Sequence, residues 1–329
     1  MVPFSIVGPG SLLRQAAARI VAVVKKHRRP VQYLFSGTIL LFLGLYIYRH
    51  ARELAHYELR VSLPSLALAS VLILGVNFLT PLAWGLILKL FLQTRLRWRE
   101  SLWVWYLSQI SKYLPGSVWN YVSRAYLCAQ RHISTPRAIL SMVLEILLIL
   151  LAQTTLFLLS FPFWPEGQVK MGWVLLILPI GLILLHPRLL NGLLGFMARK
   201  GGLDTPPQVS LLPGNVGGML TLYTAGAAVV GVAFFFFVNS LYPLPLHLLP
   251  ALTGIVTLSL IAGFLAPFAP NGLGVREGLL VLLLSRYLPT PVAAVISLAS
   301  RLWLTVIELI GLLITLLLRP TAVNNPEGL

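Results

Sequence analysis

Seven ionisable side chains of this sequence lie within or beside long apolar runs: Lys112, Arg124, Glu145, Arg276, Glu277, Arg301 and Glu308. If those runs are in a bilayer, each charge costs on the order of 2.5–3.5 kcal/mol, and such groups mark a polar pathway or pair with one another. Ser297, Arg301, Thr305 and Glu308 recur at intervals of four, four and three, which puts them on one face of a helix. Arg301 and Glu308 are then two turns apart, about 10 Å, so each needs another partner or water. The plainer alternative is a polar seam between helices.

The run Pro270-Asn271-Gly272-Leu273-Gly274-Val275-Arg276-Glu277 carries the densest signal. Gly272 and Gly274 permit positive φ and close backbone approach. A helix starting just after them would aim free N–H groups and the positive end of its dipole at an anion. Arg276 would add a fork of donors suited to phosphate. Glu277 would cap that helix, pair with an arginine or carry a proton, and the bland reading is a tight turn stapled by an Arg–Glu pair. It is no dinucleotide fingerprint, because no strand precedes it. Lys112-Tyr113-Leu114-Pro115-Gly116-Ser117 is the counterpart in the first half, with Ser117 placed to cap the helix that follows. Asn120 and Arg124 lie one turn apart on that helix. Glu145 is a partner for Arg124 or Arg301. Gln153 and Asn77 are expected to be interhelical hydrogen bonders, and Trp119, Tyr121 and Tyr126 to be aromatics at the headgroup level.

These residues must be positioned by membrane helices. The chain has 329 residues, of which 57% are hydrophobic and only 10% charged, against about 25% charged in a soluble domain. Six stretches approach the roughly 20 apolar residues a span needs: 31–48, 63–92, 137–163, 171–186, 217–241 and 292–318. Two others, 101–133 and 248–289, are apolar but broken by Pro and Gly. Such a break is tolerated only where it is buried in protein or faces water, so both are expected to be re-entrant helical hairpins. A shift of about 155 residues lays Pro115 on Pro270, Leu127 on Leu282 and Thr135-Pro136 on Thr290-Pro291, which points to an internal repeat with units at about 63–163 and 217–318. The fold class expected is therefore an all-α integral membrane protein with about six transmembrane helices plus two re-entrant hairpins in an inverted repeat.

The net charge of +16 comes mostly from short loops beside the apolar runs, the pattern that sets topology and attracts anionic lipid rather than nucleic acid. Arg95, Arg97 and Arg99, like Arg188, Arg199 and Lys200, belong on the cytoplasmic side with both termini. Residues 1–30 are expected to form a basic amphipathic segment on that face, 31–318 the membrane domain and 319–329 a cytoplasmic tail, with no cleavable leader. No GxSxG, HExxH or Walker loop is present. Cys128 is the single cysteine and the six histidines are scattered, so neither a metal nor another cofactor is expected.

At KYLPGSVWNYVSRAYL, PNGLGVREG and SRLWLTVIEL the chain resembles the flippase-like transmembrane region of lysylphosphatidylglycerol synthases and their free-standing relatives. Asn271 stands where that family's second motif usually has a first glycine. The resemblance covers residues 30–318 and implies a lipid-translocating or lipid-handling role in the cell (inner) membrane. It carries over to Lys112, Pro115, Gly116, Arg124, Gly272, Gly274, Arg276, Glu277 and Arg301. In the fused synthases an aminoacyl-transfer domain follows the membrane region. The sequence ends at Leu329, and lipid aminoacylation is not expected. The reading that follows is translocation of an amphiphilic, phosphate-bearing lipid through a polar cavity. Lys112, Arg124, Gly272, Gly274, Arg276 and Arg301 would hold the headgroup, Glu145, Glu277 and Glu308 would balance charge or couple protons, and Pro115, Gly116 and Pro270 would break the helices. The alternatives are an intramembrane lipid-modifying or glycosyl-transferring enzyme, and a non-catalytic partner of a lipid-pathway enzyme.

Overall fold

The computed structural model describes residues 61–113, 119–164, 212–266 and 269–318, with isolated positions between 37 and 57 and between 179 and 192. The segment 1–30, the spans expected at 31–48 and 171–186, the Pro115-Gly116 break and the tail 319–329 lie outside the described residues. All regular structure among the described residues is helical: α1 (Leu63–Leu92), α2 (Trp98–Ile110), α3 (Trp119–Ala129), α4 (Thr135–Ser160), α5 (Pro213–Leu241), α6 (Leu249–Phe264), α7 (Val275–Leu284) and α8 (Thr290–Leu317). Among the described residues, five helical stretches are long and apolar enough to cross a membrane: Leu63–Leu92, Thr135–Phe163, Pro213–Leu241, Leu246–Phe264 and Thr290–Leu317. The first arm of the second broken segment is thus itself of span length. The 13-residue α2 is not, since at 1.5 Å per residue it covers only about 20 Å.

Proline opens most of the long helices. It occupies the first or second position of α1, α4, α5, α6 and α8, where its missing N–H would have been unpaired anyway. Three of the expected span starts therefore move a few residues earlier, to Thr135, Pro213 and Thr290. Pro81 instead lies inside α1 and frees the carbonyl of Asn77, four residues back. The hydroxyl of Tyr106 on α2 donates to that carbonyl at 3.2 Å, so α1 runs through its proline without an orphaned acceptor.

The helices pair in a pattern that repeats when the two halves are exchanged. α1 packs on α5, the most extensive contact. Within each half, α2 packs on α3 and α6 on α7, and these second arms pack on α4 and α8 respectively. Between halves, α6 lies against α4 and α2 against α8, and the two helix breaks, at 111–113 and 270–272, touch one another. One apolar core surrounds Trp84, Leu88, Leu144 and Leu148. Another surrounds Phe235, Leu252, Leu283 and Val292. The outward face of α8 exposes Leu302, Leu309, Leu313 and Leu317, as a lipid-facing helix does.

Candidate functional site

A cavity of about 570 Å³ opens where the breaks meet, and every numbered helix except α5 contributes to its wall. The break at Pro270–Gly272 is built by local conformation. Asn271, Gly272 and Gly274 have φ of 51°, 66° and 86°, a region open to glycine at little cost and visited by asparagine. Gly272 also lies so close to α6 that a Cβ there would stand 2.8 Å from Cα of Gly263. This double requirement turns the chain from α6 into α7 and brings Arg276 to the cavity wall.

Three ion pairs among the described residues surround the cavity. Nη1 of Arg124 lies 2.5 Å from Oε2 of Glu145, and both side chains are almost wholly buried. The same guanidinium donates from Nε to Oγ of Ser108 at 3.3 Å and stands 5.2 Å from the Trp84 ring centroid and 5.7 Å from that of Trp105. Nη1 of Arg301 lies 3.2 Å from Oε1 of Glu277. Oε2 of that carboxylate accepts the N–H of Gly274 at 2.7 Å, and the Ser297 hydroxyl donates to the Glu277 carbonyl at 3.0 Å. The third pair, Lys112 with Glu308, joins the first helix break to α8 and so ties one half to the other.

The first two pairs occupy equivalent interfaces with their charges exchanged. In the first half the arginine is on the second arm, α3, and the carboxylate on the following long helix, α4. In the second half the carboxylate is on α7 and the arginine on α8. Arg276 stands apart, in ion-pair contact with no carboxylate among the described residues, and its Nε is buried without a hydrogen bond.

Most of the residues singled out in the sequence meet at this cavity. Lys112, Arg124, Glu145, Gly272, Arg276, Arg301 and Glu308 line it. Glu277 and Gly274 sit behind the wall, where Glu277 both caps α7 and holds Arg301. Arg301 and Glu308 each have a partner of their own, as their separation required, and Glu145 takes Arg124. Asn77, Gln153 and Tyr121 face the cavity, whereas Tyr126 is exposed. Among the described residues the side chains of Asn77 and Gln153 make no interhelical hydrogen bond, contrary to the expectation. Trp105, Gln109 and Thr80 were not anticipated. Trp105, Gln109 and Lys112 recur at four and three, the same one-face spacing that exposes Arg301, Thr305 and Glu308. Among the described residues no three His, Cys, Asp or Glu side chains converge as a metal site would require.

The sequence pattern of the Lysylphosphatidylglycerol synthase TM region matches residues 31–311, a stretch that includes the entire cavity wall. No curated protein matches the chain.

Proposed function

The chain belongs to the lysylphosphatidylglycerol synthase transmembrane-region family, and from that membership and the charged cavity we propose that this multi-pass membrane protein moves an amphiphilic, phosphate-bearing lipid between leaflets. The observation that carries the proposal is Arg276. Four cations, Lys112, Arg124, Arg276 and Arg301, gather with three carboxylates, Glu145, Glu277 and Glu308, and only Arg276 lacks a carboxylate partner among the described residues. A guanidinium at a cavity wall with no carboxylate partner suits an anion, and phosphate oxygens fit its planar fork. The headgroup enters the cavity beside Arg276 and Arg301 while its tails stay in lipid. Lys112 and Arg124 complete the cationic wall, and the carboxylates keep the empty site close to neutral.

In this reading the exchange-symmetric pairing of helices is an inverted repeat, with α2–α3 and α6–α7 as hairpins entering from opposite faces and six spans in all. Both termini are cytoplasmic by the distribution of basic loops, and the cell (inner) membrane is the one the family resemblance implies. Alternating exposure of the cavity then follows from rocking one half against the other about the touching breaks.

The test is a leaflet assay in reconstituted vesicles with fluorescent anionic, zwitterionic and prenyl-phosphate lipids, comparing the protein with Arg276→Ala. Faster crossing of an anionic lipid that is lost in the variant is the expected result. Undiminished crossing by a well-folded Arg276→Ala protein removes the headgroup assignment.

A further inference from the structure

Two of the three carboxylates at the cavity keep some stabilisation if their cation leaves. Glu277 accepts the Gly274 N–H and lies in the first turn of α7, where the helix dipole favours a negative charge. The Glu308 side chain is 24% exposed, so water can solvate it. Glu145 has neither support. Its side chain is 6% exposed, it lies well inside α4, and Arg124 is its one hydrogen-bond donor among the described residues. Arg124 is as deeply buried, so an anion that takes Arg124 must displace Glu145 and leave a buried carboxylate alone. That state is strongly unfavourable unless the carboxylate takes a proton.

A neutral carboxyl needs an acceptor for its proton, and the fold supplies one. Tyr223 on α5 is 8% exposed and packs in the core around Trp84 and Leu144. Its hydroxyl is buried, lies in the field of Glu145 and Arg124, and makes no hydrogen bond while Arg124 holds the carboxylate. A phenol oxygen both accepts and donates, so Glu145 has two alternative partners, Arg124 when ionised and Tyr223 when neutral. The helices packed on α4 are α1, α3, α5 and α6. Of these, α6 carries no titratable side chain, α5 only Tyr223, and α1 only Lys89, exposed in its last turn. Besides Arg124, α3 brings Tyr121, Tyr126 and Cys128. On α4 itself Arg137 is in the first turn, and Lys112, Arg276, Arg301 and Glu308 share the cavity wall with Glu145.

We propose that Glu145 takes one proton when the headgroup is handed to Arg124, so that a proton crosses with each anionic lipid. This rests on the anionic-lipid reading above and adds its coupling ion. The headgroup enters beside Arg276 and Arg301 in the second half and reaches Arg124 in the first as the halves rock. Arg124 leaves Glu145 for the phosphate, and a proton from cavity water binds the freed carboxylate, which turns to the Tyr223 hydroxyl. When the headgroup leaves, the proton returns to water and Arg124 returns to Glu145. The site is neutral before and after, because a phosphate replaces a carboxylate beside the same arginine. An ionisable side chain held inside a membrane by a single exchangeable partner is the arrangement a proton relay needs.

The experiment is the leaflet assay on the full chain with a pH step across the vesicle, potassium and valinomycin holding the voltage at zero. The probes are fluorescent phosphatidylglycerol and a fluorescent prenyl-phosphate sugar, phosphodiesters whose charge is constant near neutral pH. One proton per lipid is expected to draw the probe into the leaflet facing the less acidic side, to a ratio approaching roughly tenfold per pH unit. In Glu145→Gln the ratio is expected to stay near one. In Tyr223→Phe the neutral carboxyl loses its acceptor. With equal pH on both sides, the pH of half-maximal crossing is then expected to fall by about 0.5–1 unit, the equivalent of one hydrogen bond. Thermal unfolding checks that each variant is folded, and if Glu145→Gln carries nothing, Tyr223→Phe decides the proposal alone. Crossing by the parent with a ratio near one under the pH step overturns the coupling while the anionic-lipid reading stands. A gradient response kept in Glu145→Gln, or a pH profile unmoved in Tyr223→Phe, overturns it too. Failure of the parent to move either phosphodiester overturns the reading beneath and the coupling with it.

Discussion

Glu277 and Arg301 meet at 3.2 Å between α7 and α8, and the other carboxylate oxygen of Glu277 accepts the Gly274 N–H at 2.7 Å. One buried carboxylate thus ends the helix break and fixes a cavity cation. Glu277→Gln removes the charge and leaves Arg301 uncompensated. A loss on the order of 3 kcal/mol is expected, as for other buried pairs broken on one side. Reversible unfolding in detergent measures it. Adding Arg301→Gln should recover part of the loss, and a double variant no more stable than Glu277→Gln alone would show that the pair is not coupled.

Gly272 needs both a positive φ of 66° and room against Gly263, whose Cα and O would lie 2.8 Å and 2.9 Å from an added Cβ. Gly272→Ala is expected to lose roughly 1–3 kcal/mol through backbone strain and overpacking. Gly278, in α7, is the comparison site, because a Cβ added there would meet nothing within 4 Å. Gly278→Ala should be neutral or stabilising by roughly 0.5–1 kcal/mol. Thermal unfolding of the two variants side by side decides it.

Tyr106 satisfies the Asn77 carbonyl that Pro81 leaves open. Tyr106→Phe keeps the ring and removes the donor, so a loss of about 1–3 kcal/mol is expected from the unpaired carbonyl. In the background Pro81→Ala, where the helix can close its own hydrogen bond, the same change should cost clearly less. Equal costs in both backgrounds would separate the tyrosine from the proline.

Lys112 and Glu308 tie the first break to α8. Glu308→Lys puts like charges together and is expected to slow lipid crossing at least tenfold, about 1.4 kcal/mol or more of coupling. The exchanged pair Lys112→Glu with Glu308→Lys should recover a substantial part. Recovery in the leaflet assay reports a bridge between halves; no recovery reports separate roles for the two side chains.

Glu100 lies ahead of the first broken segment and outside the five spans. Burial opposes its charged form, but the Arg97 backbone N–H and the guanidinium groups of Arg97 and Arg131 outweigh it and hold the carboxyl below its usual value. The folded value is lower than the unfolded one. The stabilisation is therefore complete above the ordinary carboxylate range and is lost as pH falls through the depressed value. Unfolding of the protein and of Glu100→Gln from about pH 7 to about pH 3 should show the two curves converging in acid. Parallel curves would mean that the ties to Arg97 and Arg131 contribute nothing.

How much was legible depended on range. Helix periodicity alone put Arg301, Thr305 and Glu308 on one face, and composition alone required membrane helices. The break at Pro270–Gly272 was readable because glycine spacing is a backbone property of a few adjacent residues. The partner of Glu145 was not, because Arg124 and Arg301 were both within reach of any folded arrangement. Asn77 and Gln153 were misjudged for the same reason. An amide in an apolar run is equally consistent with a neighbouring helix and with a cavity, and only packing distinguishes them.

The sequence by itself therefore determined the family, the helical membrane class, the position of the second break and the inventory of intramembrane charge, since each follows from local pattern or composition. The tertiary structure decided which charges pair, that the two halves exchange the polarity of their ion pairs, and that Arg276 is left with an unused donor at a shared cavity. Those are relations between residues up to 196 positions apart, and pairing in space at that separation is set by how the helices pack, which no local pattern encodes.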